Sequence, residues 1–155
     1  MTDEQADLYD YAGREASFRD VLRTFVGCRL VSMRVEVIHG QLNQVFLRLD
    51  ERVMSIHGDI GGEVLKIIET DRLPDLGADE GTMIWQPVQI ETFVGAAIAA
   101  ARVVGETWTG HGLELAFTGH STRTILITSV KSPENDSQVH DALRVAFPNY
   151  LMEML

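Results

Sequence analysis

Residues 24–27 read Thr24-Phe25-Val26-Gly27, and residues 92–95 repeat the tetrapeptide as Thr92-Phe93-Val94-Gly95. The two lie 68 residues apart, and the register holds well beyond them. Leu22 falls on Ile90, Leu30 on Ile98, Arg34 on Arg102 and Val35 on Val103. Further along, Val45, Leu47 and Leu49 fall on Leu113, Leu115 and Phe117. A chance tetrapeptide would not keep apolar positions in step through the segments that follow. The pattern reads as an internal duplication, with copies at 22–58 and 90–130.

The pairing bears on what the second copy leaves open. Ile90, Phe93, Val94, Ala97, Ile98 and Ala101 follow helical spacing, and alanine is the strongest helix former, so alone this stretch reads as a helix. In the first copy Val31, Met33, Val35 and Val37 alternate with Ser32, Arg34 and Glu36, the pattern of a half-buried strand. Carried across, that makes Ile98–Val104 a strand as well, with a turn at Gly95 and helix as the alternative. A glycine at the same place in both copies points to a backbone needing positive φ or close approach.

A meander of short strands follows in each copy. His39-Gly40-Gln41 turns into an alternating strand over 42–49, Asp50-Glu51 turns again into 52–57, and the loop "GDIGG" (58–62) leads to a strand over 63–69. In the second copy "TGHG" (109–112) precedes a strand over 113–117, and 124–130 is a β-branched run. Residues 83–85 suggest a short strand before Pro87. Helices are expected at both ends. One covers 17–25, with Ser17 as N-cap and Phe18, Val21, Leu22 and Phe25 inward. The other covers 138–146, with Val139, Ala142, Leu143 and Ala146 inward, capped by Asp136 or Ser137 and stopped by Pro148. Residues 71–81, "DRLPDLGADEG", form an exposed acidic connector. The expected fold is one α+β domain over 1–155: two related antiparallel β units packed together, with an N-terminal and a C-terminal helix.

At 155 residues the chain is long enough to bury about two-thirds of its unfolded surface. It is 45% hydrophobic and 23% charged, an ordinary globular composition. No apolar run reaches the roughly 20 residues of a membrane helix, and the acidic N-terminus does not read as a signal peptide. The lone Cys28 makes no internal disulfide and fits a reducing, cytoplasmic setting. Net charge is −10, with only two lysines, Lys66 and Lys131, and scattered arginines. Nucleic-acid binding is therefore not expected, because phosphate contacts need clustered basic residues. An acidic surface favours solubility first, and after that a basic partner.

The arrangement resembles a loosely defined group of small uncharacterised bacterial proteins with duplicated β units. It shares with them a glycine-led strand (Gly27), a second strand ending in Leu47 and Leu49, and then Gly95, Trp108, Gly112, Leu115 and Phe117. The similarity spans about residues 22–130 and rests on apolar and turn positions. It implies an immunity or accessory partner of a bacterial toxin.

No stretch carries a catalytic motif, so no catalytic residue, metal site or cofactor is expected. His39, His57, His111, His120 and His140 lack metal-ligand spacing and read as turn or surface residues. Cys28, which stands where the second copy has Ala96, reads as a small core residue. Both glycine clusters lack the helix N-terminus and lysine of a phosphate loop. Glu91, Glu106 and Glu114 read as solvated carboxylates. The candidate partner-binding residues are Asp75, Asp79 and Glu80 on the connector, and Trp85 and Trp108, because tryptophan is enriched at binding hot spots. Two functional classes follow. One is a non-enzymatic acidic domain that occludes a basic protein partner, or assembles with itself. The other is a small-molecule binder or minor enzyme with a cleft between the β units, lined by residues such as His57 and Glu114.

Overall fold

A computed structural model describes residues 11–59, 64–105, 111–119, 123–129 and 143–147. The described residues open with α1 (Tyr11–Arg23) and run into a meander of β1 (Leu30–Ile38), β2 (Gln41–Leu49), β3 (Arg52–Asp59) and β4 (Val64–Thr70). A small hairpin follows, β5 (Gly77–Asp79) and β6 (Thr82–Trp85), and then a 3-10 turn at Val88–Thr92. A second meander comprises β7 (Ile98–Val104), β8 (Gly112–Phe117), β9 (Arg123–Ser129) and β10 (Leu143–Ala146). All pairings are antiparallel. The strands form a six-stranded sheet, β4-β3-β2-β1-β6-β5, and a four-stranded sheet, β10-β9-β8-β7.

Alternation decides which face each strand buries. Val45, Leu47 and Leu49 of β2 and Met54 and Ile56 of β3 point inward from the larger sheet. Leu113, Leu115 and Phe117 of β8 and Ile125 and Ile127 of β9 meet them from the smaller one, in one continuous core. Each inward side chain of this size contributes about 1.5–3 kcal/mol through removal from water. Two-residue turns set the register: His39-Gly40 and Glu80-Gly81 carry positive φ at both central positions, as hairpin twist requires.

The two TFVG segments meet. Arg29 and Ala97, 68 apart, form an isolated antiparallel bridge. Around it the backbone bonds come in pairs that exchange under the same offset. Gly27 N–H donates to Ile98 O (2.8 Å) and Gly95 N–H to Leu30 O (2.9 Å); Leu30 N–H donates to Ala96 O (2.9 Å) and Ile98 N–H to Cys28 O (2.9 Å). A local twofold axis therefore passes through the Arg29–Ala97 bridge. It extends outward, since a bulge interrupts β1 at Val31 and β7 at Ala99. Arg52 Nη1 donates to Thr24 O (2.8 Å), and Arg123 Nη1 to Thr92 O (2.7 Å). Phe25 and Phe93 are both buried beside the seam.

Gly27 and Gly95 sit at φ 92° and 90°, and a Cβ at either would meet nothing within 4 Å. Conformation, not space, dictates glycine here. Replacing either by alanine is expected to lower stability by about 1–2 kcal/mol in urea unfolding, the strain of a left-handed backbone.

The expected α+β class is overturned. The fold is mostly antiparallel β in two sheets, and among the described residues α1 is the one α-helix. At the C-terminal end, Leu143–Ala146 is strand β10, paired with β9, where the sequence suggested the last turn of a helix. Leu143 alternates with Val145 as well as it pairs with Ala146 at helical spacing. The edge of β9 supplies backbone partners that a helix there would leave unmet. Residues 138–142 lie outside the described residues. At the other end the helix extends N-terminally of the expected start, so Ser17 is exposed within α1 and caps nothing. Ile98–Val104 is a strand in spite of its alanines. The acidic connector is exposed along most of its length and contains β5.

Candidate functional site

The six-stranded sheet overhangs its partner. β1 is flanked by β6, which pairs Val35 with Trp85 and Val37 with Met83. Residues opposed in register share a face, so Met83 and Trp85 lie on the inner face with the buried Val35. Among the described residues the smaller sheet ends at β10 and does not cover them. Met83 is 44% exposed and Trp85 41%. Beyond Trp85 the chain passes through Pro87, whose φ of −62° and ψ of 136° turn it into the 3-10 segment.

Between this overhang and β10 lies a mostly apolar groove of about 300 Å³. Val35, Leu42, Trp85 and Pro87 line one side, and Val145 and Phe147 the other; Gln89 and Arg144 bring polar groups to it. The groove supplies dispersion contact and a few polar contacts, and it contains no acid–base pair.

The acidic candidates occupy the adjoining hairpin. Asp75, Asp79 and Glu80 are all exposed. Asp79 opposes Thr82, and Trp85 lies three positions after Thr82, so Asp79 and Trp85 project from opposite faces of the hairpin. Glu80 sits in the turn at φ 40°. That turn is braced against the β1–β2 turn, with His39 N–H donating to Gly81 O (2.9 Å). The segment bearing Asp75 is tethered by Arg34, whose Nη1 donates to Pro74 O. The structure thus gathers Asp79 and Glu80 at one tip and puts Trp85 at the hairpin base beside the groove. Trp108, Glu106, His120 and His140 lie outside the described residues. Leu42, Pro87, Val145 and Phe147 were not singled out from sequence. The available signal is the alternation of Leu143 and Val145 in β10.

The cleft imagined between the units, with His57 and Glu114 on its walls, is not the groove observed. Glu114 accepts a hydrogen bond from Arg102 Nε (3.0 Å), and His57 opposes Lys66 on β4. Among the described residues no group of three or more His, Cys, Asp or Glu is placed to hold a metal ion.

His111, read as a turn or surface residue, is 0% exposed. Its Nδ1 accepts the Leu65 N–H (2.8 Å), its backbone N–H donates to Ser129 Oγ (3.1 Å), and its ring meets Phe18 edge-on at 5.0 Å. It joins α1, β4 and β9, which is structural work. Arg52 plays a similar part at the seam. Its guanidinium stands 3.7 Å from the Phe25 ring centre and binds both carboxylate oxygens of Glu69. That hydrogen bonding holds the Glu69 carboxyl below its usual range and raises Arg52. Cys28 is half-buried and packs against the core, as does Ala96.

Among the described residues no helix is long and apolar enough to cross a membrane. Comparison of the chain with family models, curated proteins and solved structures found no match.

Proposed function

We propose that this is a non-enzymatic binding protein of the cytoplasm that engages a basic protein partner, with no role for nucleic acid or membrane. Neutralisation of a toxin, the role implied by the resemblance to duplicated-β bacterial proteins, is its concrete form. The observation that carries the reading is the open apolar groove with Trp85 on its rim, beside a hairpin whose exposed tip is acidic. Trp85 supplies the anchor, since buried aromatic contacts dominate binding energy. The hairpin and the net charge of −10 supply long-range attraction, which acts on association rate and is screened by salt.

The test is kinetic. A stoichiometric partner is purified with the protein from its native host, and association is followed at low salt. The triple variant Asp75→Asn, Asp79→Asn, Glu80→Gln is expected to slow association about tenfold and flatten its salt dependence. Trp85→Ala is expected to speed dissociation. A partner indifferent to both variants, or no partner at all, sinks the reading. The groove's volume, at the lower end of the range for ligand sites, favours a second reading in which it holds a small apolar molecule. Thermal stabilisation by such a compound, abolished by Trp85→Ala, would distinguish it.

A further inference from the structure

The local twofold shows what the groove is built to hold. In the first unit α1 packs against β4 and β7. Phe18, Val21 and Leu22 form its apolar face, at i, i+3 and i+4, over a bed that includes Leu65 and Ile67. The axis carries β7 onto β1 through the 68-residue offset. It carries β3 onto β9 through the matched bonds of Arg52 and Arg123. Leu65 and Ile67 oppose Gly58 and Ile56, while Leu143 and Val145 oppose Ser129 and Ile127, so β4 maps onto β10. The counterpart of α1's bed is therefore the space between β1 and β10. That space is the groove.

Among the described residues the second unit does not fill it. α1 is 13 residues long, whereas its counterpart is the five-residue 3-10 turn at Val88–Thr92. Only the last turn of the helix is repeated: Leu22 and Phe25 find buried equivalents in Ile90 and Phe93. The earlier turns of α1 map onto residues 79–87, and there the chain runs as β6 along the edge of β1 instead. Ile67, under α1, is 8% exposed; its counterpart Val145 is only partly buried.

We propose that the groove is the vacant seat of a helix and that an amphipathic helix of the partner protein occupies it, as α1 occupies the equivalent place in the first unit. This rests on the protein-binding reading above and specifies the partner's chemistry. The partner's helix presents apolar side chains at i and i+3 or i+4 to Leu42, Trp85 and Val145, the part of the lining that is still open, in the helix-in-groove mode of recognition. Asp79 projects from the opposite face of the hairpin, so the acidic tip acts on a basic partner at long range and not on the seated helix.

The probe is a labelled, end-blocked synthetic peptide with the sequence of residues 11–26, added to the full-length protein and followed by fluorescence anisotropy. Saturable binding is expected. It should weaken about tenfold or more with Val145→Glu or Trp85→Ala, each checked for a native circular dichroism spectrum, the size of losing one buried anchor. It should vanish when the peptide carries Phe18→Asp and Leu22→Asp. No binding, equal binding of that control peptide, or binding indifferent to both protein variants overturns the proposal. So does a dimer of the unliganded protein that Val145→Glu dissociates, because a second copy then fills the groove. Peptide binding seen only after Leu151→Asp in the full chain assigns the groove to residues 148–155 and overturns it likewise. The assay needs no native partner. A partner that is lost on Trp85→Ala while the peptide fails to bind would remove the helix and leave the binding reading standing.

Discussion

Phe93→Ala is expected to lower the unfolding free energy by about 3–5 kcal/mol, the range for removing a buried aromatic ring. Phe93 is 1% exposed and sits where three elements meet. Its ring lies 5.3 Å from that of Phe117 on β8, near edge-on at 71°, and 5.7 Å from that of Phe147, just past β10. Truncation leaves a cavity bounded by two aromatic rings that strand pairing holds apart, so collapse recovers little. Aromatic pairing adds about 0.5–1.5 kcal/mol per contact to the transfer cost. Against the net stability of a domain, about 5–15 kcal/mol, this one change consumes a large share. Urea unfolding, with the midpoint shifted and the slope unchanged, is the measurement. Phe25→Ala should cost a similar amount for a different reason, because the partner it strands is the Arg52 guanidinium. A loss below about 1 kcal/mol in both variants would contradict the seam packing described here.

His111→Ala is expected to cost about 3–4 kcal/mol, for two separable reasons. The first is the fully buried ring and its contact with Phe18. The second is the Leu65 N–H, which donates to Nδ1 and would be left buried without an acceptor. An orphaned buried donor costs about 1–3 kcal/mol. His111→Asn separates the two, since Oδ1 of asparagine reaches the place of Nδ1 while the ring is lost. It should recover about 1–2 kcal/mol relative to alanine. Equal losses in the alanine and asparagine variants would show that the hydrogen bond contributes little.

Where the sequence was legible, the reason was local. Alternation over Met33–Val37 and Val45–Leu49 reports a strand directly, because side chains at every second position meet one core; Val31, at the bulge, is exposed instead. The repeated tetrapeptide carried that reading to Ile98–Val104, where Ala97 and Ala99–Ala101 favour a helix on propensity alone. Pairing with β8 overrides the preference. Where the reading failed, the deciding partner lay far away in the chain. Leu143 pairs with Ala146 at helical spacing and with Val145 at strand spacing, and only the edge of β9 selects the strand. β5 has little strand propensity in Gly77–Asp79 and is drawn into the sheet by the Glu80-Gly81 turn and β6. His111 follows a glycine-rich turn, a place that ordinarily means exposure, and α1 covers it from far upstream. The groove was not legible for the same reason: Trp85 and Val145 come together only when two sheets stack. Trp85 could be singled out by residue type, and its neighbours could not.

The seam bears on how the molecule comes apart. Four amides, those of Gly27, Leu30, Gly95 and Ile98, donate across the Arg29–Ala97 bridge, whereas the ladder amides of each meander, Leu65 apart, donate within their own half. The two sets answer to different openings: the halves parting, and a meander fraying. Solvent hydrogen exchange at those four positions therefore gauges the union of the halves. Because they are equivalent in pairs, Gly27 with Gly95 and Leu30 with Ile98, each pair gives two readings of a single event.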